Sequence, residues 1–124
     1  MPKSLTEEKP IFLQIAERME DAILSGAFPE EGQLPSTTEI SAAYRINPAT
    51  ALKGIGLLVE EGAAHKQRGV GMFVSKGARE RIREKRQRAF FEDYVGPLIS
   101  EARKLGIAEQ EILSMMERGY KDET

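Results

Sequence analysis

The chain has 124 residues, 40% of them apolar and 31% charged, with a net charge of −2. That is material for one ordinary domain, or a small domain with an appendage, and no segment offers the ~20 apolar residues of a membrane-spanning helix. The absence of cysteine and a lone histidine, His65, exclude disulfides, thiolate zinc sites, cysteine nucleophiles and sites built from several imidazoles.

The first ten residues lack an apolar signal-peptide core, so a cytoplasmic protein is expected. The charge is unevenly distributed. Residues 1–75 hold seven basic and ten acidic side chains, whereas 76–88 hold seven basic ones against Glu80 and Glu84. A polyanion responds to such local fields more than to net charge.

In chain order, Pro10 opens a first helix over about 10–25. Ile11, Phe12, Ile15, Ala16, Met19, Ile23 and Leu24 recur at helical spacing, and Gly26 and Pro29 end the run. Residues 32–35 read as a loop. Ser36 and Glu39 form a capping box that starts a second helix of about two turns, with Ile40, Ala43 and Tyr44 as its apolar stripe. Arg45 and Ile46 make a turn. Asn47 as N-cap and Pro48 at the first helical position start a third helix, which runs to Gly62. Gly54 and Gly56 lie inside it and each costs up to ~1 kcal/mol relative to alanine, so packing or a close backbone approach must compensate.

The period then changes. Residues 63–66 and 72–74 flank a glycine-containing loop, 67–71, and predict a β-hairpin. A long helix is expected over 76–95, charged at first and apolar at the end, broken by Gly96-Pro97. Short helices follow over 98–105 and 107–118, with a fraying tail from Gly119. The basic run 76–88 reads mainly as a solvated face, partly paired through Glu80 and Glu84. Glu60-Glu61 reads as a solvated helix end, and His65 as a strand residue without special chemistry.

Three helices and a hairpin are the element order of a winged helix-turn-helix. The predicted fold is therefore mainly α with a small β-hairpin. It comprises a winged helix-turn-helix over 1–75 and a helical dimerisation segment over 76–124. The starts of the second and third helices are expected to offer unpaired N–H groups and a positive dipole end to phosphates. Lys66, Gln67 and Arg68 would crown the wing, and Gly69 would let it approach a groove. Short helices cannot bury their own apolar faces. Phe90, Phe91, Tyr94, Leu98, Ile99, Ala102, Leu105, Ile112, Leu113 and Met116 are therefore expected to meet a second copy.

Leu34-Pro35-Ser36-x-x-Glu39, Asn47-Pro48-x-Thr50, Glu60-Glu61-Gly62 and residues 68–74 (RGVGMFV), in this order, resemble the GntR family of bacterial transcription regulators. The Asn-Pro turn and the short helical tail look like its YtrA subfamily. The resemblance implies a dimeric repressor on a palindromic double-stranded DNA operator. It implies contacts from Ser36 and Thr37, from Asn47, Thr50 and Lys53, and from Arg68 and Gly69; the position and polarity of Thr38, Lys66 and Gln67 add these three to the expected set. The family usually has an arginine at the position of Thr38. Leu52, Gly54, Gly56 and Leu57 stand where polar residues or alanine are common, which predicts modest affinity or an unusual operator. Ala108 replaces a common serine N-cap.

No cofactor and no metal are expected, and an effector, if a small molecule, is not identified. An enzyme is excluded on inventory, because Gly69-Val70-Gly71 precedes a strand and no phosphate-binding loop appears. The alternative is a winged-helix module for protein–protein contact that has lost DNA binding.

Overall fold

The computed structural model describes residue 5 and residues 8–122. Its elements are α1 (Ile11–Ser25), α2 (Thr37–Tyr44), α3 (Pro48–Glu60), β1 (Ala64–Gln67), β2 (Gly71–Val74), α4 (Ala78–Phe90), a π-helical turn (Phe91–Val95), α5 (Gly96–Lys104) and α6 (Glu109–Asp122). This is the mainly helical winged helix-turn-helix expected. Among the described residues no helix is long and apolar enough to cross a membrane. The chain divides into two compact units between Lys85 and Arg86.

In the first unit, Ile15 and Ile23 of α1, Ile40 of α2, Ile55 and Leu58 of α3 and Val74 of β2 form one buried cluster. Ala78 and Ile82 of α4 complete it. These two, four residues apart on an otherwise charged helix, carry α4 into the core. Ala43, placed in the apolar stripe of α2, is exposed instead.

The glycines of α3 serve different ends. A Cβ on Gly54 would lie 2.9 Å from Ile15 Cβ and from the Phe12 carbonyl oxygen, so glycine lets α3 approach α1. A Cβ on Gly56 would meet nothing within 4 Å.

β1 and β2 pair antiparallel, Ala64 opposite Val74 and Gln67 opposite Gly71. The segment read as a loop before α2 forms a third edge beside β2. Glu31 N–H donates to the Val74 carbonyl (2.8 Å), Val74 N–H to that of Gly32 (2.9 Å), and Leu34 N–H to that of Met72 (2.8 Å).

Three carboxylates tie the start of α4 to the rest of the first unit. Glu30 accepts from the backbone N–H groups of Gly77 (2.9 Å) and Arg79 (3.2 Å) at the start of α4. These bonds favour the ionised form and hold its pKa below the ordinary carboxylate value. The contribution is present above the ordinary value and fades as pH falls through the lowered one. Farther along, Lys85 bonds to Glu20, whose side chain is 4% exposed, and to Glu61 at 2.9 Å. Glu61 is therefore an ion-pair partner and not a solvated helix end. Burial alone would lower the Lys85 pKa, but the bonds to Glu20 and Glu61 outweigh it and raise the pKa above its ordinary value. Lys85→Met is expected to lower stability by about 2 kcal/mol, because the buried Glu20 carboxylate loses a cation bonded to it and Glu61 loses its ion pair. Thermal denaturation checks this, and an unchanged midpoint would refute it. Along the same helix Arg83 pairs with Glu80 at 2.9 Å, as the helical spacing suggested.

In the second unit Gly96-Pro97 does not break the chain. Gly96 keeps helical angles (φ −56°, ψ −52°) and its N–H donates to Phe91 O, a wider i→i−5 turn. Proline lacks an N–H and its ring crowds the carbonyl four residues back. A π turn opens that spacing, so helical structure passes through. Ala102 is buried within the protomer, so it does not belong to the exposed apolar set with which it was grouped. α6 continues to Asp122, and Gly119 lies inside it instead of starting a frayed tail. At its start Glu111 accepts from Ala108 N–H (3.3 Å), half of a capping box for which alanine has no hydroxyl.

Candidate nucleic-acid interface

The helix-turn-helix is built from local signals. Ser36 Oγ accepts from Glu39 N–H and Glu39 Oε1 accepts from Ser36 N–H, both at 3.0 Å. These bonds hold the Glu39 pKa below its ordinary value, the backbone N–H of Ser36 contributing most. Arg45 takes the left-handed conformation (φ 56°) that turns the chain. Ser41 Oγ donates to the Ile46 carbonyl at 2.6 Å and fixes the turn from inside. Asn47 Oδ1 then accepts from Ala49 N–H at 2.8 Å, with Pro48 beginning α3.

The two helix starts differ in what they leave for a ligand. The capping box of α2 uses the N–H groups of Ser36 and Glu39. Those of Thr37 and Thr38, between them, meet no protein acceptor among the described residues. At α3 only the N–H of Asn47, ahead of the first turn, meets no protein acceptor among the described residues. Pro48 has no N–H, Ala49 donates to the cap, and Thr50 (2.9 Å) and Ala51 (3.1 Å) donate to the Asn47 carbonyl. The expectation that α3 offers unpaired N–H groups is therefore narrowed to that of Asn47. Within the helix the cap and the proline consume or remove the donors of 48–51, and what those residues can present is side chains and the dipole.

The side chains singled out in the sequence lie in the first unit. Ser36, Thr38, Asn47, Lys53, Lys66, Gln67, Arg68 and Gly69 are exposed, and Thr37 and Thr50 half-buried. The Asn47 carboxamide oxygen serves the cap, so its Nδ2 hydrogens are the groups left for a partner. The Lys53 ammonium lies 4.0 Å from the centre of the Phe12 ring, a cation–π contact that parks it near α1. In the wing, Val70 N–H donates to Gln67 O (2.9 Å), and Gly69 (φ 77°) supplies the left-handed residue of that turn.

One positioning residue escaped the sequence reading. Gln33 Nε2 donates to the Val70 carbonyl at 3.0 Å and so holds the wing tip. A Cβ on Gly71 would lie 2.7 Å from that Nε2, so glycine at 71 makes room for the anchor. Gln33 and Gly71 are far apart in sequence, and no local pattern joins them. His65, stacked on Phe73 and 3.0 Å from Ser75 Oγ through Nδ1, belongs to the body of the hairpin.

Residues 12–74 match the family model of bacterial regulatory proteins, gntR family. The chain belongs to the GntR family. Its nearer structural likenesses agree. A GntR-family transcriptional regulator from Bacteroides thetaiotaomicron shares 32% identity and a TM-score of 0.71, covering 92% of this chain and 99% of that one. The DNA-binding domain of AraR, solved in complex with operator ORX1, shares 26% identity and a TM-score of 0.53 over 60% of this chain and 92% of its own. YtrA from Sulfolobus acidocaldarius, a GntR-family transcription factor, has the same fold at 24% identity and a TM-score of 0.56, covering 98% of this chain and 97% of its own. No curated protein matches the sequence. The winged unit is thus the DNA-binding domain of a GntR-family transcriptional regulator, a family of regulators and not of enzymes.

Proposed function

We propose that this chain is a dimeric, YtrA-like repressor that acts in the cytoplasm by occupying a palindromic DNA operator. The observation that carries the reading is the start of α2. Two adjacent backbone N–H groups, on Thr37 and Thr38, stand open at the positive end of a helix, flanked by hydroxyls. That is a seat for a phosphate. α3 then lies in the major groove with Asn47 and Thr50 toward the bases and Lys53 toward a phosphate, and the wing brings Lys66, Gln67, Arg68 and Gly69 to the backbone or minor groove. The AraR domain solved on its operator supports DNA as the partner.

Dimerisation is assigned to the second unit. Phe90, Phe91, Tyr94, Leu98, Ile99, Leu105, Leu113 and Met116 are all exposed there, Phe91 at 64% and Tyr94 at 65%, and Ile112 is half-buried. Short helices with this much apolar surface need a partner, and a second copy provides a matching one. The double substitution Phe90→Ala and Tyr94→Ala removes a tilted ring pair with centroids 5.3 Å apart. It is expected to shift the protein toward monomer in sedimentation velocity, and a persisting dimer would refute the assignment.

The test of the function is a fluorescence-anisotropy titration against the promoter fragment upstream of the protein's own gene, at two salt concentrations, with a scrambled duplex as control. Lys53, Lys66 and Arg68 of two protomers offer about six phosphate contacts, so a steep salt slope is expected. Selective, salt-sensitive binding supports the regulator. No binding at low salt would favour a winged helix used for protein contact.

A further inference from the structure

The solvent-facing side of α3 carries a feature that phosphate binding does not use. Helical geometry places Ala49, Leu52, Lys53 and Gly56 within an arc of about 100°, opposite the buried Ala51, Gly54, Ile55 and Leu58. Ala49 and Leu52 are exposed, Leu52 at 61%. Nothing lies within 4 Å of a Cβ on Gly56, so the backbone there is open to a close approach. Of the two charged groups on this face, Lys53 has its ammonium over the Phe12 ring, and Glu60 stands two turns farther on, at the end of the helix. A helix with this face presents few hydrogen-bonding groups to base edges. In the major groove the apolar group on a base edge is the C5-methyl of thymine.

We propose that Leu52, with Ala49 beside it, is a specificity-determining residue that packs on a thymine methyl in each operator half-site. This rests on the DNA-binding reading above. Leucine fits the position because it lies one turn beyond Asn47 and Pro48, in the part of a recognition helix that reaches base edges. Burying one methyl contributes about a fourfold gain in affinity, and two half-sites compound to about fifteenfold.

The test begins with selection of duplexes from a random library by the full-length chain, its Leu52→Ser variant and its Leu52→Met variant. The parent chain is expected to fix a thymine at one position of each half-site. Leu52→Met keeps an apolar contact and is expected to keep that preference, whereas Leu52→Ser loses it. In the selected duplex, replacing those thymines by dU removes the methyl and leaves every hydrogen-bonding group in place. This is expected to weaken the parent about fourfold per site and to leave Leu52→Ser unchanged. Leu52 is exposed, so the serine variant should melt with the parent, and its enrichment of any duplex shows that it is folded. Enrichment by the parent with no sensitivity to dU, or an unchanged thymine preference in Leu52→Ser, overturns the role of Leu52 alone. Failure of the parent to enrich any duplex at low salt overturns the DNA-binding reading, and this inference with it.

Discussion

Thr37→Pro is expected to lower operator affinity by about a hundredfold while leaving the fold intact. Thr37 is the first residue of α2, where proline is well tolerated because its missing N–H has no helical partner. Ser36 before it is extended (φ −70°, ψ 161°), the conformation preferred ahead of proline. The substitution therefore removes one backbone donor and little else from the folded state, and stability should be unchanged or higher by about 0.5 kcal/mol. A hydrogen bond to a charged group contributes about 1.5–3 kcal/mol, or roughly tenfold or more per half-site. Two half-sites give about a hundredfold. Thr37→Ala is the control, since it deletes the hydroxyl and keeps the N–H. Anisotropy titrations of both variants separate the two donors. If proline and alanine behave alike, the amide does not face the phosphate.

Alanine at Gly54 and alanine at Gly56 are expected to shift stability in opposite directions. Both relieve the entropic cost of glycine in a helix, by up to ~1 kcal/mol. At Gly56 nothing opposes that gain. At Gly54 the new methyl would stand 2.9 Å from Ile15 and from the backbone of Phe12, so α1 must move away from α3. Overpacking of this kind costs about 1–3 kcal/mol and here acts on the best-buried part of the core. The two variants are expected to differ by about 2–3 kcal/mol, or roughly 10–20 °C in melting temperature for a unit of this size. Paired thermal melts decide it. Equal midpoints would mean that α1 and α3 are not held as closely as the structure places them.

The contrast between these glycines marks what the sequence could tell. It showed two helix-weakening residues and the need for compensation, but which one faces α1 depends on the packing of helices far apart in the chain. Caps and turns were legible because their partners are local. Ser36 with Glu39, Asn47 with Pro48 and the wing turn at Gly69 all close within a few residues. The loss of donors inside the first turn of α3 is equally local, since an Asx cap followed by proline accounts for those of 48 and 49. The ties made by Gln33, Glu30 and Lys85 were not legible, because each partner lies tens of residues away. Gly96-Pro97 misled for a different reason. Proline forbids the ordinary α-helical bond, and the chain avoids the conflict with a wider turn. The apolar set of the second unit was visible as a list of residues, but only burial separates Ala102 from the exposed members.

The self-contained start of α3 also bears on the thermodynamics of recognition. A helix capped by Asn47 and opened by proline is ordered before any duplex arrives, so on the proposed reading α3 contributes no coupled folding to association. The heat-capacity change on complex formation should then reflect the dehydration of apolar surface such as Leu52, without the large negative excess that accompanies a segment folding as it binds. On the proposed reading α3 is in this sense a preformed die, and selectivity is expected to come from the fit of its outer face and from the deformability of the DNA pressed against it.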